Sequence, residues 1–484
     1  MSASPSPAHR SRRTRASRLI PGPQAPTRHP RRDGLGTVRV GDRLTVRFSG
    51  VDPDGAATVR LGAVRLSVPF GVPGEEAVVE VTKGGRRADG RLVALLRKSP
   101  DVHPARCVHF GRCGGCQWQH LALEAQRRLK TRLVKDYLKE HANLRRDLVA
   151  DTLGGEAWAY RNVMRVVFAE RGGEVVLGYH GSGSSRVLDI VQCPVQHPLN
   201  EVALRVAKEA VCGLRLSIYD RARATGLVRG IVGIVSFTTG EGLLTLSTTA
   251  PLPDPTGAVR AFIDRVPGLV GILNCVQPGP SPDLLGPRLR LLWGRDHLEE
   301  QIRGFRVRVR PTTEMPANPR AMDLLIEAIV RAAEVRAGDV ALDLAAQTPV
   351  VALALAQTCE GVTGVVSGRR AAADAWDAAR ANGVPNALFT VRDPPDVLAA
   401  IAARRQPDVV VVTAEGPGVA GPMIGAVAAA GVPRVVYVAR ALGTCARDLV
   451  AWRRAGYEAV LIQPVDLLPQ TSHVHIVAAL RRAG

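Results

Sequence analysis

From Met322 onward the chain alternates helix-like and strand-like text, and this alternation constrains the fold more than any other feature. The amphipathic run MDLLIEAIVRAAEVR is followed by VALDLAA, VVALALAQ, VTGVVS, AAADAWDAARANG, ALFTVRD, PDVVVVTA, IGAVAAAG, RVVYVA and YEAVLIQPVD. Short strands that are apolar throughout must be covered on both faces, and the helices between them supply that cover. The pattern predicts a Rossmann-like, doubly wound parallel sheet over residues 311–484, within a multidomain α/β protein.

The text before it differs. Residues 40–98 are short Val- and Leu-rich runs broken by Asp-Gly, Pro-Gly and Gly-Gly, which predicts a small antiparallel, OB-like β-barrel over 36–98. Residues 99–310 predict a mixed α+β unit: LALEAQRRLKTRLVKDYLKEHA has Leu121, Leu129, Leu133 and Leu138 at helical spacing, and VMRVVFAE, EVVLGYH, GIVGIVSF and GLLTLST read as strands. A length of 484 residues suits about three such units. No internal repeat is visible.

The first 35 residues carry eight arginines among Ser, Pro and Ala and read as a disordered basic arm. Neither the apolar core of a secretory signal nor a membrane-length apolar run is present, and few, clustered cysteines suit reduced thiols, so a cytoplasmic protein is expected; a monomer is expected as well. The formal net charge of +20 makes a polyanion the expected partner, with nucleic acid first. Arg60, Arg65, Lys83, Arg86 and Arg87 would give the barrel a basic face.

Three of the eight cysteines fall in CVHFGRCGGC, residues 107–116, and Cys193 in VQCPVQHP is the nearest candidate for a fourth ligand. So few, so clustered, they do not form a disulfide framework. Four soft thiolates suit zinc or an iron–sulfur cluster. Cys212, Cys275, Cys359 and Cys445 sit singly and read as structural.

The run CVHFGRCGGCQWQHLALEAQRRLK, with AYRNVMRVVF, LGYHGSGSSRVLDIVQC and ARDLVAWRRAGYEAVLIQPVDLLPQTSHV, resembles the bacterial RNA uridine C5-methyltransferases. The resemblance covers nearly everything after residue 35. It implies an RNA-binding TRAM barrel, a 4Fe-4S cluster on Cys107, Cys113, Cys116 and Cys193, and a domain for S-adenosylmethionine. Zinc is the alternative metal.

Methylating uracil at carbon 5 needs a thiolate that adds to the neighbouring carbon and a base that removes the surplus proton. Where the family has its cysteine, after a Tyr-Val strand, this chain has Arg440, and a guanidinium is no nucleophile. Cys445 lies five residues later, in the following helix. The family's base position is His475 in SHVH. The glycine-rich turn reads DLAAQTPVV: Asp343 is kept, while Ala345, Gln347 and Pro349 replace the aromatic and both glycines and are expected to narrow the pocket. The ribose-binding acid is Val366, a family glutamine falls on Pro316, and an Asp-Pro-Pro-Arg turn falls on TAEG, residues 413–416. Asp393 is the remaining acid near the adenine side.

Three readings follow. The first is an RNA-binding pseudoenzyme of this family, in which S-adenosylmethionine binding is in doubt. The second is an active methyltransferase using His475 and another nucleophile. The third is a cluster protein for electron transfer or redox sensing.

Overall fold

The computed structural model describes residues 37–286, 288–313, 317–346, 348–414, 418–419 and 421–483. The basic arm, Pro316, Gln347 and residues 415–416 of TAEG lie outside the described residues.

β1 (Arg43–Arg47), β2 (Gly50–Val51), β3 (Ala57–Leu61), β4 (Val64–Val68), β5 (Glu76–Lys83) and β6 (Arg87–Arg97) form one sheet in the order β1-β5-β6-β4-β3-β2. Alternate residues such as Leu66, Val68, Val79 and Val81 turn inward onto one small core, as the period-two pattern requires. The expected all-antiparallel barrel needs correction. The β4–β6 pairing is parallel, so the sheet is not antiparallel throughout; β1 and β2 are separated by two residues, and the Phe48 and Ser49 amides between them donate to the Glu75 and Thr58 carbonyls, so one bent segment touches both ends of the strand order.

α1 (Leu123–Ala142) and β7 (Leu153–Gly154) come next. The central sheet contains β8 (Val163–Arg171), β9 (Glu174–His180), β10 (Val187–Asp189), β11 (Val228–Val235), β12 (Gly242–Thr248), β13 (Leu269–Val276) and β14 (Leu289–Gly294), in the order β10-β9-β8-β11-β12-β13-β14. Its helices α2 (Pro198–Gly213) and α3 (Pro255–Ile263) each begin with proline behind a side-chain cap, His197 and Asp254. A hairpin of β15 (Leu298–Ile302) and β16 (Phe305–Val309) leads to the last unit.

That unit runs α4 (Pro319–Ala333), β17 (Val340–Asp343), α5 (Val350–Ala356), β18 (Gly361–Val365), α6 (Arg369–Ala381), β19 (Ala387–Thr390), α7 (Pro394–Ala402), β20 (Val409–Ala414), α8 (Gly421–Ala429), β21 (Arg434–Ala439), α9 (Leu442–Arg454), β22 (Tyr457–Asp466) and β23 (His475–Arg482). The sheet order is β19-β18-β17-β20-β21-β23-β22-β7, parallel from β19 to β21 and antiparallel on both sides of β23. Ala341, Val409 and Val411 face a core shared with α4, α5 and α6. Leu342, Val410 and Val412 face the opposite core, shared with α7, α8 and α9. Apolar strands covered on both faces are what the sequence predicted.

Packing also links the text before residue 310 to the last unit. Leu133, Val134 and Leu138 of α1 enter the same core as Tyr437 and Trp452, and β7 pairs in parallel with β22. β7 thus adds an edge strand to the last sheet, and α1 packs against one of its faces.

Candidate active site and cysteine centre

In a parallel sheet, side chains meet a ligand at the carboxyl ends of the strands, where the order reverses. Here the reversal lies between β17 and β20. Asp343 ends β17, Arg440 follows β21, and His475 opens the neighbouring antiparallel β23, where Ala439 pairs with Ile476. Asp343, Thr413, Val438, Arg440 and His475 line one small cavity of about 40 Å³ beneath α4. The three residues singled out from the sequence are thus brought together.

Their electrostatics are those of an enclosed site. Asp343 is 1% exposed, and its Oδ2 has no hydrogen-bond partner among the described residues. Burial pushes its carboxyl up to about 7. Burial, with the positive charges of Arg440, Lys130 and His473, pushes the His475 imidazole down to about 3. Both groups are costly to ionise. Cys445 is fully buried within α9 and lines neither this cavity nor the larger one beside it. Burial and the Asp448 carboxylate raise its thiol far above the ordinary cysteine range.

The larger cleft, about 590 Å³, lies at the ends of β17, β18 and β19 and contains Pro349, Val366 and Asp393. Pro349 lines this cleft. Pro349 is the N-cap of α5, with φ −69° and ψ −11°, at a helix start where a missing amide hydrogen costs nothing. Val366 is buried and Asp393 is exposed at the start of α7. Sequence reasoning missed Arg308, Arg310, Arg370 and Arg392, which also line the cleft. The signal was present in SGRR directly after β18 and in VRD after β19.

The four cysteines 107, 113, 116 and 193 line a separate cavity of about 450 Å³, with Phe110, Arg161 and Tyr179. All four are half-buried. The amides of His109 and Gly115 donate to the sulfurs of Cys107 and Cys113, each at 3.4 Å. The loop comes close to β9 at Gly114, where a Cβ would stand 3.3 Å from the His180 carbonyl oxygen. Burial pushes the Cys116 thiol up to about 11 and Cys193 up to about 12, and neighbouring thiols add to the shift. As the side chains stand, no three His, Cys, Asp or Glu residues among the described ones converge on a single metal position. Of the remaining cysteines, 275, 359 and 445 are buried, whereas Cys212 is exposed at the end of α2 and is not a core residue.

Across the N-terminal sheet, Arg60 stands opposite Arg65, and Arg65 opposite Arg87. Like charges in register on adjacent strands repel, and Arg65 has the Glu140 carboxylate at 3.9 Å to offset part of this. No helix among the described residues is long and apolar enough to cross a membrane.

An RNA methyltransferase of Halalkalibacterium halodurans, itself named as uncharacterized, is 30% identical over 449 residues, covering 92% of this chain and 98% of that protein. This chain belongs to the RNA methyltransferase family. A second member, from Gloeobacter violaceus, is 30% identical over 455 residues, covering 93% of this chain and 98% of that one. The family fold is matched by the Pyrococcus abyssi tRNA (uracil-54, C5)-methyltransferase solved with S-adenosyl-L-homocysteine. Its TM-score is 0.71 at 21% identity, over 90% of this chain and 99% of that one. No protein-family model matches the chain.

Proposed function

We propose that this chain is an RNA-binding member of the uridine C5 branch of the family that has lost methyl transfer. The observation that carries the reading is the content of the small cavity. At the family's nucleophile position stands Arg440, and the nearest thiol in sequence, Cys445, is buried outside the cavity and held protonated. His475, at the base position, is buried among positive charges and is a weak proton acceptor at neutral pH. The ribose acid is absent at Val366.

RNA binding is supported by the net charge of +20 and by the row Arg60, Arg65 and Arg87. A polyanion relieves the repulsion within that row while releasing its own counterions.

Cys107, Cys113, Cys116 and Cys193 would hold the 4Fe-4S cluster, one thiolate to each iron, as a cross-link between the loop after the N-terminal sheet and the segment following β10. The donor set fits: four thiols around one cavity, two of them already accepting amide hydrogens. A single zinc ion would instead draw all four sulfurs to about 2.3 Å from one point.

The deciding experiment incubates the wild-type protein with unmodified bulk RNA and labelled S-adenosylmethionine, then digests the RNA and measures 5-methyluridine. No product above background is expected. Turnover would establish the active-enzyme alternative, whereas a reversible redox couple without RNA affinity would favour the electron-transfer reading.

A further inference from the structure

The 590 Å³ cleft is of a size that suits a nucleotide. In sheets of this class the ribose lies at the end of the second strand, where a carboxylate takes its two hydroxyls; an arginine beside a vacated acid position instead accommodates a ribose phosphate. The strand end here reads Val366-Ser367-Gly368-Arg369-Arg370. Val366 offers no acceptor. Gly368 adopts φ +101°, and a Cβ there would meet nothing within 4 Å, so space stands open beside the backbone. α6 starts at the next residue with no side-chain cap.

Two arginines face this space from different strand ends. Arg370, 66% exposed, is steadied by Asp296 at 2.9 Å. Arg392, after β19, has no ion pair or side-chain hydrogen bond among the described residues and lines the same cleft. Behind them Arg310 is locked in a fork on Asp374, at 2.7 and 3.0 Å, which fixes the cleft wall on α6.

We propose that this cleft binds a small nucleotide whose ribose carries a phosphate on its 2′ oxygen. Arg370 and Arg392 supply the cationic hydrogen-bond donors, and the uncapped amides of α6 add to them. Val366 offers neither an acceptor for a free diol nor a charge against a phosphate at that strand end; of the two carboxylates that line the cleft, Asp374 is held by Arg310 and Asp393 directly follows Arg392. The inference rests on the reading that the cleft no longer serves methyl transfer.

Calorimetry on the full chain tests it with NADP+ against NAD+, 2′-AMP against 5′-AMP, S-adenosylhomocysteine, and a hexaribonucleotide. The 2′-phosphorylated member of each pair should bind about tenfold tighter or more, the worth of one charge-assisted contact. Arg370→Ala and Arg392→Ala should each erase about that factor, and Val366→Glu should reverse the preference. Equal binding of NADP+ and NAD+ by the wild type, which needs no variant, overturns the proposal. So does hexamer binding that Arg370→Ala and Arg392→Ala weaken while NADP+ fails to bind, since the cleft then serves an RNA backbone. Tight S-adenosylhomocysteine binding with methyl transfer would overturn the pseudoenzyme reading as well, whereas loss of NADP+ preference in a protein that makes no 5-methyluridine overturns this inference alone.

Discussion

Lys130 Nζ lies 2.5 Å from Asp466 Oδ1 with both side chains at 0% exposure, and 336 positions of chain separate them. The pair fastens α1 to the end of β22, and Lys130 also donates to the Leu468 carbonyl at 3.2 Å. Burial pulls the ammonium below the usual lysine range while the Asp466 charge opposes that shift. Asp466→Asn should cost about 3–5 kcal/mol, because it strands a buried cation. Lys130→Met with Asp466→Leu should recover most of that loss. Urea unfolding of the three proteins measures both; a single variant as stable as the wild type would deny the pair its role.

The cysteine centre predicts a visible phenotype. Protein prepared without oxygen should be brown, and Cys113→Ser should bleach it and reduce its solubility. Metal analysis returning stoichiometric zinc in a colourless protein would replace the iron assignment.

The arginine row predicts opposite changes in binding and stability. Replacing Arg60, Arg65 and Arg87 together with Ala should weaken RNA binding and lower the salt slope by about three, roughly one counterion per lost phosphate contact. The same triple variant should unfold no more easily than the wild type, because it removes facing like charges. Filter binding across a salt series and a melting curve test the two halves, and an unchanged slope would place the RNA elsewhere.

His475 makes stability depend on pH. Its folded pKa of about 3 lies below the unfolded value near 6.5, so its neutral burial costs nothing above 6.5 and is penalised progressively as pH falls toward 3. Between pH 7 and pH 5 the wild type should lose about 2 kcal/mol more than His475→Gln. Denaturant titrations at the two pH values give the comparison. Parallel losses in both proteins would mean the imidazole protonates freely in the fold.

Restoring one catalytic residue should achieve nothing. Arg440→Cys should yield no 5-methyluridine, because the base position remains a weakly basic histidine and the ribose acid is still absent. Adding His475→Glu should also fail while Val366 remains, since missing members of a catalytic set are not compensated singly. Product from Arg440→Cys alone would mean that the cleft still accepts the methyl donor.

The last sheet was legible because its strands are apolar on both faces, a pattern few other folds require. Asp343, Arg440 and His475 were legible as a group because the text flanking each resembles the family closely, and register then places Arg440 beside His475. Other features depend on contacts between distant segments. Lys130 reads as a surface lysine on an amphipathic helix until α9 and β22 cover it. The leucine stripe of α1 does not say which core it enters; in the fold it meets Tyr437 and Trp452. That Pro349 caps a helix start is not readable from the turn's altered text. The parallel β4–β6 pairing escapes any reading in which successive strands are joined as hairpins.

β23 sits between β21 and β22, although it follows every other strand in the chain. During synthesis, the five parallel strands are therefore made while the edge of β21 has no partner, and β22 with β7 has no sheet to join. Eight residues, 475–482, then close both gaps at once and carry His475 into place. A growing chain would thus hold the apolar edge of β21 open until β23 emerges, the interval in which a holding chaperone has most to protect.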